Sequence, residues 1–172
     1  MTQVLGVDQL GVRGNEGQLR QVVRNLINNA IKYTPANGRI TCTCKMLDQP
    51  ASDHRATFVS PPPFPPTSDA DGRPEAWPGR GDLPAGRWAA IMVADSGNGI
   101  GEQERLRIFE RFYRVRTEGN IPGTGLGLSI ARDLVALHGG QIAVASMPNV
   151  GSNFVVYIPA VEDADNDDDT GS

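Results

Sequence analysis

Asp95-Ser96-Gly97-Asn98-Gly99-Ile100-Gly101 follows directly on Trp88–Ala94, a mostly apolar run short enough for a buried strand. The order sets a lone carboxylate at the end of that strand, where a charge is costly unless it is hydrogen-bonded. Glycines at alternate positions behind it let the backbone approach a flat ligand closely. An aspartate that accepts from an exocyclic amine selects adenine. Guanine sets a carbonyl oxygen there, so two acceptors face each other, a buried mismatch of roughly 1–3 kcal/mol. Without a ligand, the same residues read as a Gly-rich turn with an Asx cap.

Working outward toward the N-terminus, Leu19, Val22, Val23, Leu26, Ile27, Ala30 and Ile31 recur with helical period from Glu16 onward. Asn15 can cap that helix with Gln18 three residues on, and Pro35 and Gly38 stop it. Asn25, Asn29 and Lys32 share one face. Buried, such an edge needs partners, which magnesium and phosphate oxygens supply: an Asn carbonyl is a hard oxygen ligand and Lys a phosphate counter-charge. Facing water, it needs nothing. Toward the C-terminus, Gly123-Thr124-Gly125-Leu126-Gly127-Leu128 opens an expected helix over Leu126–His138, with Leu126, Ile130, Leu134 and Leu137 along one face. Glycines before a helix N-terminus let N–H groups face phosphate, and a flexible loop there can close as a lid. The loop Arg114–Pro122 precedes it, which does not fit the strand-first dinucleotide pattern.

The remaining segments suggest a strand in Val4–Val12, a half-buried strand in Arg39–Met46, a short helix over Glu102–Tyr113, and a hairpin of Gln141–Ser146 with Ser152–Pro159. Nine of the 13 prolines lie between Pro50 and Pro84. Residues 47–86 therefore read as a Pro-rich, disordered insertion within a single domain over 1–160. The net charge of −4 is set by the tail: residues 162–172 carry six acids and no base, which leaves +2 for the rest. Residues 161–172 read as an acidic disordered tail. No basic face argues for nucleic acid, no apolar run reaches the roughly 18 residues of a membrane span, and no secretory signal is present. Cys42 and Cys44 read as packed thiols, lacking further ligands for a metal. The basic cluster Arg105, Arg107, Arg111, Arg114 and Arg116 is interleaved with Glu102, Glu104, Glu110 and Glu118 and reads as a solvated helix face.

Taken together, the motifs resemble the catalytic, ATP-binding domain of two-component sensor histidine kinases, of the HATPase or GHKL superfamily. Asn25-Leu26-Ile27-Asn28-Asn29-Ala30-Ile31-Lys32-Tyr33-Thr34-Pro35 resembles the N box and Asp95-Ser96-Gly97-Asn98-Gly99 the G1 box. Phe109-Glu110-Arg111-Phe112-Tyr113-Arg114 resembles the F box and Gly123-Thr124-Gly125-Leu126-Gly127-Leu128-Ser129-Ile130-Ala131 the G2 box. His138-Gly139-Gly140 and Gly151-Ser152-Asn153-Phe154 match the closing elements, with Ser152 where a Thr is commoner. All stand in family order.

The resemblance implies an α+β fold, a Bergerat-type two-layer α/β sandwich whose mixed sheet of about five strands carries three helices on one face. It implies ATP and Mg²⁺ as cofactors. By matched position Asn29 holds Mg²⁺ and, with Lys32, belongs to the catalytic set. Asn25 lies beside the phosphates, and Lys32 and Tyr33 contact phosphate or ribose. Asp95 accepts from the adenine amine, with Gly97, Gly99 and Ile100 lining the base. Gly123, Thr124, Gly125, Leu126, Gly127 and Leu128 form the lid over the triphosphate. Arg114 approaches phosphate, Ser152 reaches adenine through water, and Phe109 and Phe112 pack the base of the lid and touch the partner domain.

The implied partner is the dimerisation and phosphoacceptor domain of a histidine kinase, on a separate chain that is membrane-anchored or within a longer one. A response regulator follows downstream, and the location is cytoplasmic. His54 and His138 are the histidines of the chain, and neither sits in an acceptor-like helix. The expectation is a domain that binds ATP without phosphorylating itself. Related ATPases and serine kinases place a Glu where Asn25 stands, so slow hydrolysis is expected here. A hydrolase or serine kinase, and a non-enzymatic nucleotide-binding scaffold, are the competing readings.

Overall fold

The structure is a computed structural model that describes residues 11–49, 83–115 and 123–161. Helix α1 (Glu16–Tyr33) starts at Asn15, whose side chain accepts the Gln18 N–H, and ends at Thr34, whose N–H and hydroxyl both donate to the Ala30 carbonyl. Strands β1 (Ile40–Gln49) and β2 (Gly86–Asp95) pair antiparallel from Ile40↔Asp95 to Gln49↔Gly86. Helix α2 (Glu102–Arg105) is one turn, α3 covers Gly127–Leu137, and β3 (Gln141–Met147) and β4 (Gly151–Pro159) form the expected hairpin. The sheet order is β1-β2-β4-β3.

The fold class is the expected one, with two differences of detail. Among the described residues the sheet has four strands, all antiparallel, rather than about five in a mixed sheet. Most of Val4–Val12 lies outside the described residues; its last member, Val12, forms a single antiparallel bridge with Ala160 at the end of β4.

Period-two alternation gives the sheet two apolar faces. Val93, Phe154, Val156 and Ile158 point to one side and meet Val22, Leu26 and Ala30 of α1 and Ala131 and Val135 of α3. Trp88, Ala90, Met92, Val155 and Tyr157 point to the other side, where Leu47 and Leu83 join them. That second cluster moves the edges of the expected insertion. Leu47, Asp48 and Gln49 continue β1 and Leu83 is buried, because the ladder keeps pairing and Leu47 faces Trp88. Pro50 to Asp82 and the acidic tail from Glu162 onward lie outside the described residues.

Other boundaries shift for local reasons. The helix expected over Glu102–Tyr113 stops at Arg105 and continues as tight turns, with Arg107 N donating to Glu104 O and Glu110 N to Arg107 O. The turns deliver Ile108 into the core and end at Phe112, whose φ is +63°. In α3 the buried positions are Ser129, Ala131 and Val135, while Leu137 is 74% exposed. Small side chains let α3 approach α1 closely, and the expected line is kept in part: Leu134 packs against the core and Leu126 and Ile130 are half-buried, while Leu137 faces outward. β1 is an edge strand, and its start at Ile40–Cys42 is exposed rather than half-buried.

Candidate functional site

Sheet and helix register bring the ends of three separate motifs to one cavity of about 370 Å³. Asp95 ends β2 at its floor. Asn25, Asn28, Asn29, Lys32 and Tyr33 supply one wall from α1, and Gly123, Thr124, Gly125, Gly127 and Leu128 form the opposite rim. The Asn25 amide donates to the Gly127 carbonyl at 3.0 Å, which ties the helix wall to the rim. Lys32 lies over the Tyr33 ring with Nζ 4.9 Å from its centroid, and no Cβ could be added at Gly123 without striking that amine.

The loop after Asp95 is fastened on three sides. Ser96 exchanges hydrogen bonds with Arg39, the Asn98 N–H donates to the Tyr33 carbonyl, and the Asn149 N–H donates to the Asn98 carbonyl. Gly99, at φ +64°, passes against the Met147 carbonyl where a side chain has no room. Asp95 Oδ1 accepts the Gly97 N–H at 2.8 Å. Burial pushes the Asp95 carboxyl above the ordinary aspartate range, opposed by backbone hydrogen bonds from Gly97 and Ser152 that favour the charged form. The site thus offers a partly desolvated carboxylate acceptor, tied to its own loop by the Gly97 N–H, in a cavity that Ile100, Ile108 and Phe154 also line.

Most residues expected from the sequence line this cavity: Asn25, Asn29, Lys32, Tyr33, Asp95, Gly99, Ile100, Arg114, Gly123, Thr124, Gly125, Gly127, Leu128 and Ser152. Gly97 and Leu126 do not. Gly97 lies against the Tyr33 carbonyl and the Asp95 carboxylate, so it shapes the loop behind the cavity. Leu126 stands at the N-terminus of α3, where its carbonyl accepts the buried Ser129 hydroxyl. Phe109 packs edge-on against Phe154, with ring centroids 6.5 Å apart, as expected of the base of the lid. Phe112 does not pack there: the residue is 72% exposed, open to the partner contact that the resemblance also implies, and its backbone N–H donates to the Gly125 carbonyl.

Asn28, Asn98, Ile108, Tyr113, Val115 and Phe154 also line the cavity without having been assigned there from sequence. Asn28 stands three residues after Asn25 and four before Lys32, so helical spacing already placed it on the same face, and Tyr113 beside Arg114 carried a usable signal as well. The donor set suits a divalent cation shared with phosphate. Asn28 and Asn29 offer hard amide oxygens, and among the described residues no cluster of three His, Cys, Asp or Glu side chains forms a protein-only cage. His138 lies away from the cavity. Its Nε2 accepts the Asn15 N–H at 3.1 Å and its Nδ1 donates to the Leu134 carbonyl at 2.8 Å.

Residues 71–162 match the family model described as histidine kinase-, DNA gyrase B-, and HSP90-like ATPase, just over half of the chain. Among curated proteins, the sensor histidine kinase Hik2 of Synechocystis sp. is 36% identical over 160 residues, covering 88% of this chain and 29% of Hik2. The adaptive-response sensory kinase SasA of Rippkaea orientalis is 32% identical over 148 residues, covering 86% of this chain and 28% of SasA. The chain therefore spans under a third of the length of these relatives. Among solved structures, the mycobacterial sensor histidine kinase MprB aligns with a TM-score of 0.55 at 27% identity, over 87% of this chain and 76% of MprB. Full-length ShkA in complex with AMPPNP aligns with a TM-score of 0.57 at 26% identity, over 91% of this chain and 24% of ShkA.

Proposed function

From the footing that the chain belongs to the family of histidine kinase-, DNA gyrase B- and HSP90-like ATPases, we propose that it binds Mg²⁺-ATP and donates the γ-phosphate to a histidine on a phosphoacceptor domain. The observation that carries this reading is the convergence on one cavity of a rigid carboxylate floor, an amide-and-lysine wall and a glycine rim. Asp95 accepts from the six-amine of adenine. Ile100, Ile108 and Phe154 exclude water around the base. Asn29, with Asn28 and Asn25 beside it, offers amide oxygen toward the cation, and Lys32 and Arg114 neutralise phosphate charge. Mg²⁺ supplies charge neutralisation at the phosphates when bound.

No side chain along this wall can act as a strong base. Asn25 occupies the wall one helical turn before Asn29, its amide donates to Gly127, and an amide takes no proton near neutral pH. Water therefore lacks an activator, whereas a neutral imidazole is nucleophilic without one. Catalysis rests on positioning and charge neutralisation, and transfer to histidine outruns hydrolysis. The acceptor is supplied by a separate domain rather than by His138, since both nitrogens of that ring are engaged in backbone hydrogen bonds. A response regulator takes the phosphate afterwards, and the reaction runs in the cytoplasm, where ATP is available. Among the described residues no helix is long and apolar enough to cross a membrane.

The test combines calorimetry with phosphotransfer. ATP and ADP should bind with affinity strengthened by Mg²⁺, and labelled ATP should mark an added acceptor domain but not the chain alone. Fast ATP turnover by the isolated chain would support a hydrolase instead. Binding with no acceptor domain ever labelled would support a nucleotide-sensing scaffold.

A further inference from the structure

The sheet face turned away from α1 and α3 is more deeply buried than the described elements account for. Period-two alternation sets Asn153 on that face with Val155 and Tyr157, and its register partner Ala145 on β3 beside Ala143. Met92, Val155, Tyr157 and Asn153 are each at most 2% exposed, and Ala145 is buried. The helices pack on the opposite side, against Val93, Phe154, Val156 and Ile158, and no helix residue joins the second cluster. Leu47 and Leu83 do join it, both at its Trp88 end. Leu47 faces Trp88 in the ladder, and Pro84, next to Leu83, accepts the Trp88 indole N–H at 3.0 Å. Asn153 pairs with Ala94, six residues beyond Trp88 on β2 and so roughly 20 Å along the strand. There its side-chain oxygen is buried without a hydrogen-bond partner, a cost that a donor laid over the face removes.

We propose that this face is an interaction surface for the chain's own proline-rich segment, residues 50–82, which lies across it as a third layer. The segment leaves β1 after Gln49 and returns at Leu83, so both of its ends stand at the Trp88 end of the face. Its 33 residues reach roughly 100 Å when extended, against about 40 Å to Asn153 and back. Phe58, Val59, Phe64 and Trp77 supply apolar area, and Thr57, Ser60 and Trp77 carry donors of the kind Asn153 needs. Its eight prolines bring apolar rings without an N–H, so they rest on apolar side chains and bury no unpaired donor. The other stretches fit less well. Residues 162–172 hold six acids and nothing apolar larger than Ala164. Residues 1–10, entering through Val12 beside Ala160, suffice for one extended track over four strands. The proline-rich run is thus engaged within the chain rather than offered to a partner.

The test places a thiol on the face with Ala145→Cys in a Cys42→Ser/Cys44→Ser background and follows its reaction with a maleimide. In the full chain, labelling should run more than about tenfold slower than in denaturant. With residues 50–82 replaced by a short glycine–serine linker, it should accelerate about tenfold or more, at a temperature where circular dichroism shows the sheet intact. Should the shortened chain not fold, Phe58→Ser/Phe64→Ser/Trp77→Ser in the full-length chain carries the test. A segment that covers the face through these side chains loosens and labelling quickens, whereas a solvated loop leaves the rate unchanged. Fast labelling of the full chain overturns the proposal, as does an unchanged rate in the triple-serine variant. A folded, shortened chain that still protects the thiol also overturns it. Light scattering and a truncation of residues 1–10 then tell whether a second copy or the N-terminal stretch is the cover.

Discussion

At the residue scale, the proposed function divides the nucleotide between two residues that line one cavity, Asp95 and Asn29. In that proposal Asp95 takes the base and Asn29 the metal-bound phosphates, so their loss should separate by metal dependence. Asn29→Ala should weaken ATP about tenfold or more in Mg²⁺ and little in EDTA, whereas Asp95→Ala should weaken it by a similar factor in both, each near the 1.5–3 kcal/mol of a charge-assisted contact. Calorimetric titrations of the two variants check this, and equal losses in EDTA would contradict the division. Protonation adds a second handle. Burial raises the Asp95 carboxyl, so its proton returns at a higher pH than on an exposed aspartate. For stability the sign is opposite to that of a salt-bridged acid. With the folded value above the unfolded one, the favourable contribution is complete below the ordinary aspartate pKa and is lost as pH rises through the raised one. Acid therefore does not unfold the protein through this group.

The same residues show what a single chain reveals. Asp95, Asn25, Asn29 and the glycines were legible because rare residue types stood at strand and helix ends in a fixed order. The Ser146 hydroxyl, which accepts the N–H of the cavity-lining Ile100, was not. Its other partners, Gly151 and Ser152, lie on a neighbouring strand, and no spacing within β3 announces them. Phe112 was placed at the base of the lid by resemblance alone; at φ +63° its backbone closes onto Gly125 while the side chain stays exposed, which no spacing in the sequence announces.

At the scale of elements, Gly125 joins the rim to the turns after α2. Its φ is +72°, and a Cβ there would fall 2.7 Å from the Phe112 carbonyl carbon and 2.8 Å from the Tyr113 carbonyl oxygen. Gly125→Ala is strained in both conformation and space, at roughly 1–3 kcal/mol. The strain is relieved by letting go of the Phe112 N–H contact, so ATP affinity should fall about tenfold while the melting temperature changes little, read by calorimetry and thermal unfolding on one preparation. A large loss of melting temperature without loss of affinity would show that the contact serves the core instead. The edge strand β1 gives a contrasting case. Cys42 and Cys44 are free, and burial pushes Cys44 up to about 11, with the neighbouring Cys42 adding to the rise. The reactive thiolate of Cys44 is then on the order of one part in a thousand at pH 8. Alkylation by iodoacetamide should lag that of a free thiol by more than tenfold and accelerate steeply above pH 10. Alternation across Cys42, Cys44 and Met46 was readable as a strand, but not that the strand lies at the sheet edge, since edge position depends on which strands pair.

At the scale of the molecule, the sheet separates stability from ligand binding, because adjacent residues of one strand serve different faces. Phe154 faces the helices, lines the cavity and meets Phe109. One pleat away, Val155 faces the other side and pairs in register with Met92, which is fully buried in the cluster of Trp88 and Tyr157. Large-to-small changes in either cluster remove transfer energy and leave a cavity, about 2–5 kcal/mol for a methionine and 3–5 for a phenylalanine. Met92→Ala and Phe154→Ala should therefore lower the denaturant midpoint by comparable amounts. Their effects on ATP should differ: Phe154→Ala opens the slot to water and weakens binding, whereas Met92→Ala, screened from the cavity by the thickness of the sheet, leaves affinity within about twofold under conditions where the folded fraction is complete. Calorimetry well below the unfolding transition, paired with denaturation curves, reads both quantities. Equal losses of affinity would mean that the cavity depends on the sheet as a whole rather than on the face that lines it, and that the two clusters act as one cooperative core.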